Sequence, residues 1–292
     1  MTTRLPVVTV TYSPGDHLRH FVETLPGSTT RPVGLVMADN GSTDGAPEAA
    51  AAAHDFAEFF PTGGNLGYGT AINRAVTEIA RRPGEFDQEF VLVVNPDVWF
   101  EPGSVDALLA AAHRWPRAAA FGPRIAETDG SVYPSARAVP RLGAGIGHAL
   151  LGPVWPGNPW TAHYLDDSDM ESERTAGWLS GSCLLLRREA FDALGGFDER
   201  YFMYLEDVDL GDRLGRAGWQ SVYVPSSVIH HDQGHAARTV PEFTLRAHHN
   251  SAYLFQADRH PAAWQAPIRW ALRAGLELRC RLAIRSARRD LR

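Results

Sequence analysis

With 292 residues, of which 44% are hydrophobic and 10% aromatic, the chain can bury a large core in one large domain or two small ones. Its net charge of −6 argues against general nucleic-acid binding, and its two cysteines, Cys183 and Cys280, are too few for a disulfide framework. No apolar run is long enough for a signal peptide or a transmembrane span, so we expect a soluble protein of a reducing compartment.

The first half of the chain alternates strand-like and helix-like segments. The strand-like segments are VVTVTY (7–12), VGLVMAD (33–39), FAEFFP (56–61) and FVLVV (90–94). Turn-forming residues fill 13–16 and 40–45, and the glycine-rich stretch 63–67 leads into a helix with Ile72, Val76 and Ile79 on one face. This alternation predicts βαβ units, a mainly parallel sheet and a nucleotide-binding α/β fold.

The second half of the chain is less regular at its start. Prolines interrupt residues 126 to 175, where we expect a long irregular region. Regular patterns return in 177–191 and 195–219, followed by the strand-like QSVYVPSSVIHH (220–231). We divide the chain into an α/β domain, 1–240, and a C-terminal helical region, 241–292.

The apolar strand-like run 90–94 stops at Asn95-Pro96-Asp97. Five apolar residues without alternation are typical of a strand buried on both faces, and Pro96 marks its end because proline cannot donate to a ladder. Ligands of open α/β sheets bind beyond the carboxyl ends of the strands, which makes Asp97 a candidate site residue. The alternative is that Asp97 caps the following helix or turn.

Two further polar pairs, Glu206-Asp207 and His230-His231, are candidates. Together with Asp97, these carboxylates and imidazoles would be suitable ligands for a divalent cation that neutralises a diphosphate. Each pair also has a structural interpretation, because charged runs on helices usually face water and a histidine at a strand end is usually not a ligand.

Six segments, in this order, resemble the GT-A glycosyltransferases of family 2, and among them the bacterial rhamnosyltransferases that build cell-wall and O-antigen linkages. The segments are VVTVTY, ADNGSTDG, GGNLGYGTAINRAV, VLVVNPDV, GWLSGSCLLLRREAFDALGGFDERYFMYLEDVDLGDRLGRAGW and VIHHDQG. The resemblance covers roughly residues 5 to 235. Each is weakly specific alone, whereas their shared order is specific. The resemblance implies a GT-A fold, a mainly parallel nucleotide-binding sheet flanked by helices, with a C-terminal helical extension.

The resemblance also implies roles for the candidates. Asp97 matches the metal-binding last place of a D-x-D-like motif, with Asn95 in its first place, and His230 matches a metal or diphosphate ligand, His231 remaining open. Asp207 matches the general base, which Glu206 would orient. The implied nucleotide-sugar-binding residues are Thr11, Tyr12, Asp39, Asn40, Asn65, Gly67, Asn73 and Asn95, Asp39 accepting from the pyrimidine imide; those on the acceptor side are Trp178, Ser180 and Gly181.

The activity implied by the resemblance is a metal-dependent, inverting sugar transfer with Mn²⁺ or Mg²⁺ as cofactor. The expected donor is dTDP-rhamnose, and the expected acceptor is N-acetylglucosamine on a polyprenyl diphosphate in cell-wall synthesis. One alternative is a galactofuranosyl or other hexosyl transferase that uses a UDP-sugar. Another is a non-catalytic protein that binds nucleotide sugars.

The end of the chain is basic. From Trp264 onward, eight arginines and two acidic residues give a net charge of +6. The segment has no proline after Pro267, so we expect one long helix, with Trp264, Ile268, Leu272 and Leu276 at i+4 spacing. Such a helix suits an anionic membrane surface, here the inner face of the plasma membrane, and the alternative is packing on the body or on another subunit.

Overall fold

A large mixed sheet is the centre of the computed structural model, which describes residues 3–127, 130–140, 169–232 and 241–290. The strands are β1 (Leu5–Thr11), β2 (Val33–Asp39), β3 (Ala57–Pro61), β4 (Phe90–Val94), β5 (Val98–Phe100), β6 (Ala118–Ala126), β7 (Val132–Tyr133), β8 (Ala136–Arg137), β9 (Arg174–Ala176), β10 (Trp178–Leu179), β11 (Cys183–Arg187) and β12 (Gln220–His231). The helices are α1 (Asp16–Thr24), α2 (Ala46–Ala53), α3 (Tyr68–Ala80), α4 (Ser104–Arg114), α5 (Arg188–Ala193), α6 (Glu206–Arg216), α7 (Pro241–Asp258) and α8 (Ala266–Asp290).

The strands of this sheet follow the order β3-β2-β1-β4-β11-β6-β12-β5. Strands β1 to β4 pair in parallel, and β6 pairs in parallel with β12. Strand β11 lies antiparallel between β4 and β6, and β5 is antiparallel to β12. The α/β layered fold and the mainly parallel sheet predicted from the alternating pattern are confirmed.

Strand β4 shows why an unbroken apolar run forms a central strand. Phe90, Leu92 and Val94 belong to one hydrophobic cluster, and Val91 and Val93 belong to another on the opposite face of the sheet. Helices α1 and α4 cover the first face, and α3 covers the second with the predicted apolar side of 72, 76 and 79. Both faces of β4 are therefore dry, as the pattern predicted.

One edge of the sheet collects the ends of several strands. Strands β1, β2, β4 and β12 run in the same direction, because β11 is antiparallel to both β4 and β6 and β6 is parallel to β12. Their carboxyl ends, at Thr11, Asp39, Val94 and His231, lie along this edge, and β11 starts there at Cys183. The edge is where the site must be sought.

The C-terminal region is a pair of helices, α7 and α8, that pack on each other. Phe255 of α7 packs with Tyr201 and Val208, so α7 also contacts the body. The predicted long C-terminal helix is confirmed by α8, and none of the described helices is long and apolar enough to cross a bilayer. Residues 141–168, the middle of the predicted irregular region, lie outside the described residues, and the division at residue 240 stays a prediction.

Candidate active site

The acidic pair Glu206-Asp207 opens helix α6. The Asp207 carboxylate accepts hydrogen bonds from the backbone N–H groups of Gly181 and Val208, each at 2.8 Å. Glu206 is only 9% exposed, and its Oε2 has no hydrogen-bond partner among the described residues. The pair is therefore not part of a solvated helix face, and its two carboxyls lie in different environments.

These environments affect the pKa values of the two carboxyls differently. Burial, with the negative charge of Asp207, raises the pKa of Glu206 to about 8. Burial also raises the pKa of Asp207, but the N–H groups of Gly181 and Val208 oppose that shift because they stabilise its ionised form. Glu206 is thus the member of the pair whose protonated form is favoured, and Asp207 is the member whose ionised form is stabilised by hydrogen bonds.

Gly181 connects the acidic pair to helix α3. Its N–H donates to Asp207, and its carbonyl accepts a hydrogen bond of 2.7 Å from the Tyr68 hydroxyl. A Cβ at Gly181 would lie 3.3 Å from Asp207 Cβ, so glycine permits this approach. Burial, followed by the charges of Glu206 and Asp207, raises the pKa of Tyr68 well above its usual value, so Tyr68 remains a neutral donor.

The other two residues expected on the acceptor side flank this turn. The hydroxyls of Ser180 and Ser182 lie 2.9 Å apart, directly beside Gly181. Trp178 donates from its indole N–H to the carbonyl of Ala138 at 3.1 Å. Of the three residues expected on the acceptor side, Gly181 contacts Asp207 directly and Ser180 is the neighbour of Gly181 in the chain. Trp178 packs against the cluster that contains Tyr201 and Val208.

The loop before the acidic pair is held from two sides. Its carbonyl at Phe202 accepts from the backbone N–H of Tyr68 at 3.0 Å, and a Cβ at Gly67 would come within 2.3 Å of that same oxygen. Its carbonyl at Met203 accepts from the buried hydroxyl of Ser251, on α7, at 2.9 Å.

Two consecutive residues of this loop have strained backbones. Tyr204 and Leu205 lie in the left-handed region, at φ of 70° and 63°. Residues other than glycine adopt such angles at a cost of roughly 1–3 kcal/mol each. The contacts with Gly67, Tyr68 and Ser251 therefore fix a costly conformation immediately before Glu206.

Asp97 lies beside a histidine, and that histidine is His231. The Nε2 atom of His231 is 3.0 Å from Asp97 Oδ1, and both side chains are half-buried. His230 instead contacts Glu101 at 3.1 Å and stacks on Trp99 with ring centres 5.3 Å apart. Successive residues of a strand point to opposite faces of the sheet, so His230 and His231 have different neighbours although they are adjacent in sequence. The geometry places His231, the alternative that the sequence had left open, beside Asp97, and the choice between the two histidines as a ligand stays a prediction.

The pair Asp97 and His231 fits a divalent cation. Asp97 Oδ1 and His231 Nε2 are 3.0 Å apart, within hydrogen-bonding distance, so the two donor atoms lie side by side. One oxygen and one nitrogen donor would suit Mn²⁺. Within the described ranges, no cluster of three or more histidine, cysteine or acidic residues forms a more complete cage.

Asp39 orders the loop that follows β2. Its carboxylate accepts from the Thr11 hydroxyl at 2.8 Å, from the N–H groups of Gly41 and Ser42 at 2.9 Å, and from the Ser42 hydroxyl. Burial raises the pKa of Asp39, but the hydrogen bonds from Ser42, Thr11 and Gly41 outweigh it and lower the pKa overall. Because a carboxylate has about four acceptor positions, the expected bond from a pyrimidine imide would have to displace one of these internal partners.

The asparagines at positions 40 and 65 hold the glycine-rich loop. Asn40 is buried, donates to the carbonyl of Gly67 at 3.1 Å and accepts from the Thr62 hydroxyl at 2.8 Å. Asn65 Oδ1 accepts from the N–H of Gly67 at 3.3 Å. Both side-chain amides are thus used in hydrogen bonds inside the protein, where they hold the backbone of the glycine-rich loop in place.

Of the remaining candidates, Asn73 is used in contacts inside the protein, whereas Tyr12 is exposed and Asn95 is half-buried. The Asn73 amide pairs twice with the backbone of Phe197, donating to its carbonyl at 2.8 Å and accepting from its N–H at 2.9 Å. The Asn73 amide is thus occupied by backbone contacts, and its expected role in nucleotide-sugar binding stays a prediction. Tyr12 is 60% exposed just beyond β1, and Asn95 is half-buried with its backbone N–H bonded to Ser182.

Comparison with known proteins decides the family. The model of "Glycosyl transferase family 2" matches residues 7–195, and that of "Glycosyl transferase family group 2" matches residues 160–274. The chain belongs to glycosyl transferase family 2. It is thus a glycosyltransferase, as the order of its motifs predicted.

Two relatives of known name span most of the chain. A Mycobacterium tuberculosis protein named N-acetylglucosaminyl-diphospho-decaprenol L-rhamnosyltransferase is 56% identical over 296 aligned positions, which cover 100% of this chain and 96% of the relative. Rhamnosyltransferase WbbL of Escherichia coli K12 is 29% identical over 201 positions, 68% of this chain and 73% of the relative.

Solved structures support the same fold. A mannosyltransferase from Pyrobaculum calidifontis, in complex with GDP-Man and Mn²⁺, matches with a TM-score of 0.56 at 18% identity, covering 100% of this chain and 74% of the other. TarS of S. aureus with UDP-GlcNAc matches with a TM-score of 0.58 at 13% identity, covering 94% and 71%. The predicted GT-A fold with a C-terminal helix is confirmed.

Proposed function

We propose that this glycosyltransferase moves L-rhamnose from dTDP-rhamnose to N-acetylglucosamine carried on a polyprenyl diphosphate, with inversion at the anomeric carbon. The name of the mycobacterial relative supports the sugar and the acceptor, since the alignment at 56% identity covers 100% of this chain and 96% of the relative. The family resemblance supports dTDP as the nucleotide. Because the acceptor is a lipid, we also propose that the enzyme works at a membrane surface.

The observation that carries the proposal is the state of the acidic pair. Asp207 is oriented by two backbone N–H groups, while the neighbouring Glu206 holds a proton. Asp207 accepts the proton of the acceptor hydroxyl as the oxygen of that hydroxyl bonds to the anomeric carbon. The bond to the nucleoside diphosphate breaks on the opposite face of the sugar, which inverts its configuration.

Asp97 and His231 would hold a divalent cation against the diphosphate of the donor. When bound, the ion supplies positive charge that stabilises the leaving group. The Mn²⁺ in the complex of the Pyrobaculum mannosyltransferase supports such a requirement in this fold. Asp97 lies two positions after Asn95, whose N–H bonds to Ser182, so the cation ligands adjoin the turn that contains Gly181.

The nucleoside of the donor would lie over the ends of β1 and β2. Tyr12 offers an exposed ring on which a base can stack. Asp39 and Thr11 keep the following loop in place, and Asn40 and Asn65 do the same for the glycine-rich loop. In this proposal the base contacts the backbone and hydroxyls of these loops more than the Asp39 carboxylate.

A transfer assay with purified enzyme tests the proposal. dTDP-rhamnose, UDP-galactofuranose and GDP-mannose are each supplied with a short-chain polyprenyl-diphosphate N-acetylglucosamine, with Mn²⁺, Mg²⁺ or chelator. Released nucleoside diphosphate gives the rate, and NMR of the product gives its anomeric configuration. We expect transfer from dTDP-rhamnose with inversion. A kcat/KM at least tenfold higher for a UDP-sugar would replace the donor assignment, and a product of retained configuration would refute Asp207 as the base.

A further inference from the structure

The outward side of α8 carries a row of apolar side chains. Cys280 and Ile284 are buried on the inward side of α8, which packs against α7. The outer row consists of Trp264, just before the helix, and then Ile268, Ala271, Gly275, Leu278 and Leu282, spaced alternately by four and three positions. Trp264, Leu278 and Leu282 are 76%, 60% and 54% exposed. Side chains at this spacing share one face of a helix, so the outer row is continuous.

Two exposed tryptophans lie near the start of the helical segment, Trp264 in the outer row and Trp270 outside it. Trp270 is 76% exposed, like Trp264, and both lie in the first part of the helical segment. Large exposed tryptophans are unfavourable in water, and their amphipathic rings are enriched at the boundary between lipid and water.

Arginines flank the outer row. Residues 266–288 contain six arginines and one acidic residue, Glu277. Arg281 pairs with Glu277, and Arg288 pairs with Glu242 of α7. Arg279 and Arg285 are both exposed, and neither has a carboxylate partner in the described part of the chain. The face therefore combines an apolar row with uncompensated positive charge.

From this combination we infer that the outer row of α8 docks on the surface of a bilayer that contains anionic phospholipids. The arginines bind the headgroups, while Trp264, Leu278 and Leu282 enter the boundary of the acyl chains. A second copy of the chain fits this face less well, because it would bring more arginines against Arg279 and Arg285 and, among the described side chains of its own α8, no acid that is not already paired. Anionic lipid supplies the missing negative charge.

The same helix pair leads to the acidic pair. Arg288 joins the end of α8 to Glu242, and the next residue, Phe243, is 47% exposed and contacts the ring of Phe202 edge-on at 5.4 Å. Phe202 belongs to the strained loop before Glu206. The inference rests on the proposed function for its purpose, because a docked α8 would keep this loop close to the headgroup layer where a lipid-linked sugar is presented.

Sedimentation of the full chain with vesicles tests the inference without any substrate. The vesicles contain phosphatidylcholine alone or phosphatidylcholine mixed with phosphatidylglycerol. We expect binding to the mixed vesicles only, and its loss in high salt. The variant Arg279→Gln/Arg285→Gln should bind about thirtyfold more weakly, because each arginine near an anionic surface contributes roughly fivefold. Leu278→Gln/Leu282→Gln should also lose binding.

Arg19→Gln is the matched control, because Arg19 is also an exposed arginine but lies on α1. Its variant should bind the mixed vesicles with an affinity within about twofold of the wild type, since the loss of one distant charge is largely screened. Equal binding of wild type and the double arginine variant would overturn the inference. A second result would also overturn it. In that result, analytical ultracentrifugation shows a wild-type dimer that the Leu278→Gln/Leu282→Gln variant converts to monomer, and neither protein binds vesicles. Failure of sugar transfer with every donor would refute the proposed function and leave the vesicle result unchanged.

Discussion

Replacing Glu206 by glutamine is expected to stabilise the protein in a pH-dependent way. Glutamine resembles the protonated carboxyl in shape but needs no proton to be neutral. The folded protein keeps Glu206 protonated up to about pH 8, whereas the unfolded chain releases this proton near pH 4.5. Between these values the folded state binds one more proton than the unfolded state, so this contribution to stability is fully present below pH 4.5 and is lost as the pH rises to about 8.

The magnitude follows from the two pKa values. Each pH unit above the unfolded pKa of 4.5 adds about 1.4 kcal/mol to the cost of keeping Glu206 neutral in the folded protein. At pH 7 this cost is about 3 kcal/mol. This figure requires only that the folded pKa exceed 7. An unpaired amide N–H in the space around Glu206 Oε2 would reduce the gain by about 1–3 kcal/mol, by an amount that does not change with pH.

Urea unfolding of both proteins at pH 5, 6, 7 and 8, at constant ionic strength, measures the difference. The free energy of unfolding of the variant, relative to the wild type, should rise by about 1 kcal/mol per pH unit over most of this range. A difference that is constant across these pH values would refute the assignment of the proton to Glu206. The control is Glu78→Gln, at a carboxylate on α3 that pairs with Arg81 on the protein surface.

Three further predictions concern the proposed chemistry. Asp207→Asn should keep donor affinity, measured by calorimetry, and lower the transfer rate by about 10²–10⁴, because the proton acceptor is lost; a rate near that of the wild type would contradict its role. His231→Ala should weaken Mn²⁺-dependent donor binding by roughly 10–100-fold, whereas His230→Ala should change it little, and the reverse order would restore His230 as the ligand. Ser251→Ala should lower kcat by roughly tenfold with donor affinity unchanged, because it leaves the Met203 carbonyl of the strained loop without its partner; equal losses in kcat and donor affinity would indicate general misfolding.

The sequence allowed strands β1 to β4, strand β12 and the sheet edge to be predicted, and it made the acidic pair a candidate, because local patterns determine these features. Strand β2 occupies the same residues as its apolar run, Val33–Asp39, and β4 ends where Pro96 requires. Helix α6 begins at Glu206, as the pattern of charges and apolar residues indicated. These features depend on hydrophobic period and on backbone rules that act within a few residues.

The remaining details depend on partners that are distant in sequence. Asn73 pairs with Phe197, 124 positions away, and Ser251 with Met203, 48 positions away, so no local pattern identifies either contact. The choice between His230 and His231 depends on the face to which the end of β12 turns.

The C-terminal helix shows the same limit. Of the four apolar residues predicted to form one row, Leu272 and Leu276 are half-buried, whereas Trp264 and Ile268 are exposed. The exposed row continues instead through Leu278 and Leu282, because packing against α7 selects which side of α8 faces water. The sequence alone could predict an amphipathic helix but not the direction of its faces.

The contact between Gly67 and Phe202 gives the enzyme a mechanical property. The two backbones are so close that even a methyl group at Gly67 would overlap the Phe202 carbonyl, and the adjacent N–H of Tyr68 bonds to the same oxygen. A segment that would contact the donor is thereby joined to the loop before Glu206 with no flexible side chain between them. A shift of the glycine-rich loop would therefore have to move the loop before Glu206 with it, so the positions of these two segments are coupled.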